Sequence, residues 1–330
     1  MVMQRKVIQQ GPATLSVSLP SQWVRKFNVK RGDSLFLEEK GNNIEISKKE
    51  ISSEKKRIII KTDESYDCSV LARMINAAYV SGYNEIEIIV HKPIFDYRST
   101  TLYFHSDRYK GKGAKVNVMT FITDITNFFI GFEIVSQSKD KIILIELAST
   151  STEELTTISN RIYLIAKEIG NTTVEGLENL DQNAYEACNN YEHNINKFFR
   201  YYRRIINKTG FSNVTKEISM YEITAHIEEI CDTYKDIIRN VLDKELTKNI
   251  KINKEFTVLA RKVVESVNKF IDILISDDKE KMVLFYKENS SLIWKLEDVI
   301  VNKQYPLLIE LKQILFHIKE AIQNSFSLDL

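Results

Sequence analysis

The stretch "IEEICDTYKDI", residues 227–237, carries Glu228 and Asp232 four residues apart. On an α-helix such residues lie one above the other, so the two carboxylates can converge on a single cation. Oxygen donors of this kind suit hard divalent ions, iron or manganese better than soft ions. The same run carries an apolar stripe, Ile223, Ile227, Ile230, Cys231, Tyr234, Ile238 and Val241. Both acids sit one step round from the stripe's centre, where charged side chains are ordinarily solvated. A metal-binding pair and the wet edge of a bundle helix are both open readings. Glu222 and His226 are also four apart, but the chain has five histidines and no second one nearby in sequence, so they read as a helix-surface pair. "FFRYYRRIINK" joins aromatics to cations; Phe198, Tyr202 and Ile205 fall at core spacing, which favours a core face beside a basic face over a nucleic-acid surface. No nucleophile elbow, phosphate-binding glycine loop, dinucleotide fingerprint or HExxH occurs, so an enzyme is not expected.

These residues depend on elements to position them. From Thr152 onward helical periodicity dominates, predicting helices over 153–179, 182–207, 214–247, 253–275, 279–302 and 305–325. Three plus three helices suggest a duplicated three-helix bundle. Residues 57–150 mix predicted strands (57–61, 84–92, 100–106, 132–136 and 141–147) with helices over 68–82 and 124–131. The basic loop "RYKGKGAK", residues 108–115, lacks the GxxxxGK[ST] pattern that cradles nucleotide phosphates and reads as a solvated hairpin. Residues 1–50 alternate short strands with turns around one short helix, "SQWVRKF". The fold class is therefore multi-domain α+β: a small β-rich domain over 1–50, an α+β domain over 57–150 and an all-α domain over 152–330. So small an N-terminal unit buries little alone, and a dimer would cover its apolar faces.

Composition limits the function classes. The chain is 43% hydrophobic and 28% charged over 330 residues, as expected of a soluble protein with several cores. Residues 1–56 hold 11 basic and 6 acidic side chains, a surplus of five cations, whereas residues 151–330 hold 24 and 28. Three scattered cysteines, Cys68, Cys188 and Cys231, suggest neither a disulfide framework nor a zinc knuckle. With no apolar leader and no apolar run of ~20 residues, a cytoplasmic location is expected.

The segment "TLSVSLPSQWVRKFNVKRGDSLFLEEKGNNIEIS" resembles the AbrB/SpoVT (MazE-like) domain, carried by Leu19-Pro20, Trp23 and Val29-Lys30-Arg31-Gly32-Asp33 in that order. Pro20 can end a strand and open a helix, and Gly32-Asp33 supplies a tight turn. The resemblance implies a swapped-hairpin homodimer that binds DNA through Arg5, Lys6, Arg25, Lys26, Lys30 and Arg31. Cations at these positions would neutralise phosphates, the main source of salt-dependent affinity. Leu15-Ser16 stands where many DNA-binding members carry Gly-Arg, which leaves a purely dimerising role open.

"AYEACNNYEHNINKFFRYYRRI" followed by "IEEICDTYKDIIRNV" is similar to the PhoU family of phosphate-uptake regulators. An AbrB-like segment, an α+β insert and a PhoU-like bundle in this order resemble that family's archaeal branch. The similarity implies two three-helix bundles and a divalent or iron-type metal ion held by Glu228 and Asp232, with Glu192 and the Asn196 carbonyl oxygen from a facing helix. In the second half Glu288 and Glu320 persist near the expected places, but Leu292 and Phe316 replace their partners, so a second cluster is not expected. The implied function is a transcriptional regulator of phosphate uptake that binds DNA as a dimer and senses through the bundle. The alternative is an interaction module that dimerises without binding DNA and contacts the ATPase component of a phosphate ABC transporter.

Overall fold

In a computed structural model of the chain, residues 4–40, 43–48, 55–96, 115–148, 150–209, 213–242, 252–303 and 307–329 are described. They divide into two compact units, Met1–Glu54 and Lys55–Leu330.

In the first unit β1 (Val7–Gln9) pairs antiparallel with β2 (Leu15–Val17), and β3 (Phe36–Lys40) with β4 (Asn43–Ser47). Between the hairpins, α1 (Ser21–Lys26) starts directly after Pro20, whose fixed φ and missing donor suit a helix start. The turn into β3 is closed by the Lys30 N–H donating to Asp33 Oδ2 at 2.9 Å, with Gly32 at φ +91°, where a side chain would be strained. Among the described residues of this unit no side chain is buried. Val7, Leu15, Leu37 and Ile44 are 61–71% exposed.

The second unit opens with a four-stranded sheet of order β5-β6-β10-β9, built from β5 (Arg57–Lys61), β6 (Glu85–Ile89), β9 (Phe132–Gln137) and β10 (Lys141–Glu146). β5 and β6 run parallel, joined through α2 (Cys68–Val80); the other neighbours are antiparallel. Alternation puts Ile60, Ile86, Ile88, Ile142 and Leu144 in the core, the period-2 signature of a half-buried sheet. A short hairpin, β7 (Ile94–Asp96) with β8 (Lys115–Asn117), was not legible in the sequence. The predicted strand at 100–106 and the basic hairpin at 108–115 lie outside the described residues, apart from Lys115 at the start of β8.

The helix expected over 124–131 starts earlier, as α3 (Val118–Thr126). Asn117 decides this: its Oδ1 accepts the N–H groups of Met119 and Thr120, and the turn that follows buries Val118, Phe121, Ile122 and Ile125. Residues 127–131 turn instead into β9, with Gly131 at φ +80°.

Six long helices complete the unit: α4 (Glu154–Asn179), α5 (Gln182–Thr209), α6 (Val214–Leu242), α7 (Lys254–Ser276), α8 (Lys279–Lys303) and α9 (Leu307–Phe326). The sequence had placed each of these helices. α4, α5 and α6 pack on one another, as do α7, α8 and α9, and the two triplets meet through α4 on α7 and α6 on α9. Gly176 sets the approach of α4, since a Cβ there would stand 2.5 Å from that of Ala184 and 2.9 Å from Ile238 Cδ1. Among the described residues no helix is long and apolar enough to cross a membrane.

Candidate functional site

α5 and α6 face one another along their length, and the PhoU-like motif residues meet at that seam. Glu192, 8% exposed, projects from α5. Its Oε1 accepts the Asn196 side-chain amide at 2.6 Å and the Lys235 ammonium of α6 at 2.9 Å. Lys235, 7% exposed, also reaches Asp232 Oδ1 at 3.4 Å. Asn196 is engaged on both sides, because its Oδ1 accepts from Arg200 at 3.4 Å. His193 Nδ1 lies 3.4 Å from Glu192 Oε2.

Glu228 and Asp232 belong to the same electrostatic cluster. Burial pushes the Glu228 carboxyl up to about 8; Asp232, Glu229 and Glu192 add to the shift and Arg200 opposes it. Burial likewise raises Asp232 to about 6 against the pull of Lys235, with Glu192 adding to the rise. Burial pulls the Lys235 ammonium down, but Glu192 and Asp232 outweigh it and hold its pKa above the ordinary value. At neutral pH Lys235 is therefore positive beside Glu192 and Asp232, and Glu228 keeps its proton.

The expected metal ligands have protein partners here. The structure does bring Glu192, Asn196, Glu228 and Asp232 to one seam, but a lysine supplies the cation there. The Asn196 oxygen expected to point at a metal faces Arg200 instead. So engaged, Glu192, Asn196 and Asp232 already hold protein partners. Among the described residues no group of three or more His, Cys, Asp or Glu side chains is assembled around a common ion position. Lys235 was visible in the quoted stretch: it stands four residues after Cys231, on the buried side of the stripe, where a lysine needs a carboxylate. In the second triplet Glu288 pairs with Lys269 of α7 at 2.5 Å, an exposed contact.

Because Glu228 is protonated in the folded state far above the ordinary carboxylate range, it favours folding at low pH. It loses that contribution as pH rises from about 4.3 toward its folded value. Glu228→Gln is accordingly expected to raise stability at about pH 8 by on the order of 2 kcal/mol, with the gain vanishing near about pH 4. Urea denaturation at both pH values measures it, and an unchanged or lower midpoint at the higher pH would contradict the buried, protonated state.

In the N-terminal unit the six expected DNA-contacting cations are all exposed. Arg5 and Lys6 precede β1, Arg25 and Lys26 close the last turn of α1, and Lys30 and Arg31 lie in the turn held by Asp33. The Lys26 ammonium lies 5.4 Å from the Phe27 ring centroid, and Trp23 packs on the same ring at 5.3 Å.

Residues 8–62 match the MazE antitoxin family model. That family is described as antidote-toxin recognition MazE, a bacterial antitoxin. The MazE-like match covers both hairpins and α1 and runs through β5. Among solved structures, the phosphate transport system regulatory protein PhoU from Streptococcus pneumoniae is similar at a TM-score of 0.38 and 14% identity, over 52% of this chain and 88% of that one. No match is found among curated proteins.

Proposed function

We propose that this chain is a homodimeric DNA-binding regulator whose helical bundle responds to phosphate status. The observation that carries the dimer is the missing core of the MazE-like unit. Apolar side chains on both hairpins lie open, and a segment of some fifty residues with nothing buried among its described residues does not hold its shape alone. A second copy covering those faces completes it and doubles the surplus of cations, giving the dimer a basic surface matched to a phosphate backbone. Support for the phosphate link is the PhoU-like motif pattern on α5 and α6. α5 also offers a route for a signal: Phe128, from the turn before β9, packs against His193 at 4.8 Å and under Arg200 at 5.7 Å, beside Glu192 and Asn196.

Fluorescence anisotropy with labelled promoter duplex tests the reading, with sedimentation to measure the oligomer. Retention at low salt that falls steeply with added salt is expected. Arg25→Ala/Lys26→Ala removes four cations from a dimer and is expected to weaken binding tenfold or more and to flatten the log–log salt slope by about 3–4. Absence of duplex retention at low salt, in a protein that sediments as a dimer and captures a phosphate transporter's ATPase component, would replace this reading with the non-DNA-binding module.

A further inference from the structure

α8 carries two opposite series of residues. Met282, Phe285, Asn289, Ile293 and Leu296 form its inner face, buried where the helix packs on α7 and α9. The outer face repeats the spacing with Leu284, Lys287, Ser291, Trp294, Asp298 and Val301, in alternating steps of three and four. All six are exposed, and Leu284, Trp294 and Val301 stand 60%, 73% and 80% open. Steps of three and four are the a and d positions of a coiled-coil seam. Packing within the bundle accounts for the inner seam alone, and large apolar side chains aligned on an outer one mark a contact surface.

That surface complements itself in one orientation. In an antiparallel helix pair, a positions of one copy face d positions of the other. A two-fold axis between Leu292 and Ile293 then sets Leu284 against Val301 of the second copy, Ser291 against Trp294 and Lys287 against Asp298. Each pairing occurs twice: aliphatic on aliphatic, a large ring over a small residue, and a cation on an anion. A parallel pair would instead place Lys287 on Lys287 and Asp298 on Asp298, like charge on like. Slipping by one heptad would separate lysine from aspartate. We propose that the outer face of α8 pairs antiparallel with the same face of a second copy of this chain, with Trp294 seated over Ser291 and Lys287 paired with Asp298. A single helix pair is small beside the ~1,600 Å² of a standard stable interface. The contact is therefore weak in dilute solution and takes hold between chains at high local concentration.

Cysteine cross-linking of the full chain under mild oxidation, at several protein concentrations, tests both the contact and its direction. Leu284→Cys/Val301→Cys is expected to give a covalent dimer on a non-reducing gel. The two cysteines lie about 25 Å apart within one helix, too far for a disulfide inside the chain. The native Cys68, Cys188 and Cys231 are buried and supply no background. Either single variant alone should stay monomeric on the gel, and an equal mixture of the two should cross-link. Adding Lys287→Asp to the cysteine pair is expected to slow cross-linking about tenfold or more, and Lys287→Asp/Asp298→Lys to restore it. Trp294→Ala should slow it by a similar factor. All these positions are exposed, and circular dichroism checks that each variant folds. No covalent dimer at the highest concentration, single variants that cross-link as fast as the pair, or a charge swap that fails to restore the rate would overturn the antiparallel pairing.

Discussion

Arg204→Ala is expected to lower the unfolding free energy by about 3–5 kcal/mol, the largest loss from any single side chain between the sheet and the bundle. Arg204 lies on α5 and is fully buried. Its guanidinium donates to the carbonyl oxygens of Tyr79 and, at 2.9 Å, Tyr83, and pairs with Glu146 at the end of β10 at 3.0 Å. Tyr79 O is one of the last carbonyls of α2, which have no partner within their own helix. Asn207 donates to the next, Val80 O, at 2.9 Å, so one turn of α5 caps the C-terminus of α2. The planar cation also lies against the touching Tyr79 and Phe132 rings, 4.9 and 4.7 Å from their centroids. Removing it takes a donor from the Tyr83 carbonyl, leaves Tyr79 O with the Gly82 N–H at 3.1 Å and leaves Glu146 with Lys208 and the Asn84 amide. Arg204→Lys is expected to recover less than half, because an ammonium reaches one carbonyl and cannot lie flat against the rings. Urea denaturation at neutral pH measures both variants. A loss for Arg204→Ala below about 1 kcal/mol would mean that sheet and bundle are held by apolar packing alone.

That arginine also marks where the sequence stops being legible. "FFRYYRRIINK" read as a core face beside a basic face, and for Tyr202 and Ile205, both buried, the reading holds. It fails at Arg204, because a helix wedged between a bundle and a sheet has two buried sides, and periodicity reports only the apolar one. The six bundle helices were visible because their apolar stripes are long and repeated over several turns. Helix α3 was misplaced because it is short and its start rests on a single side chain, Asn117, whose capping role depends on which backbone N–H groups follow it. The acid pair was placed correctly on α6, and the facing glutamate correctly on α5. What supplies the positive charge between them was not, since a family motif names ligands and says nothing of a lysine seven residues beyond Glu228. The contact of His226 with His317, Nδ1 to Nδ1 at 3.2 Å, was invisible for a simpler reason: 91 residues separate them, and only the packing of the triplets makes them neighbours.

Lys235→Met tests what neutralises that seam. In the native protein the ammonium lies between Glu192 and Asp232, and its raised pKa means that its contribution is present at neutral pH, where its partner carboxylates are ionised, and is lost as pH rises through the folded lysine value. Methionine keeps the length and apolar stem but takes the ammonium away from the buried Glu192, beside two further carboxyls. Breaking such a pair from one side is expected to cost about 3 kcal/mol at neutral pH. The carboxyls of the variant hold their protons more tightly in the folded state than in the unfolded one. Its stability must therefore fall as pH rises from about 4.3, more steeply than in the native protein, and the two curves should approach each other in acid. Freed of the lysine, Glu192, Glu228 and Asp232 become an oxygen-donor set that a hard divalent ion can use. The variant should then gain a melting shift with Mn²⁺ that Glu192→Gln abolishes, while the native protein shows no such Glu192-dependent shift. A native protein that Mn²⁺ stabilises through Glu192 would mean that the ammonium yields its place to the metal, and that Lys235 is a placeholder for the ion.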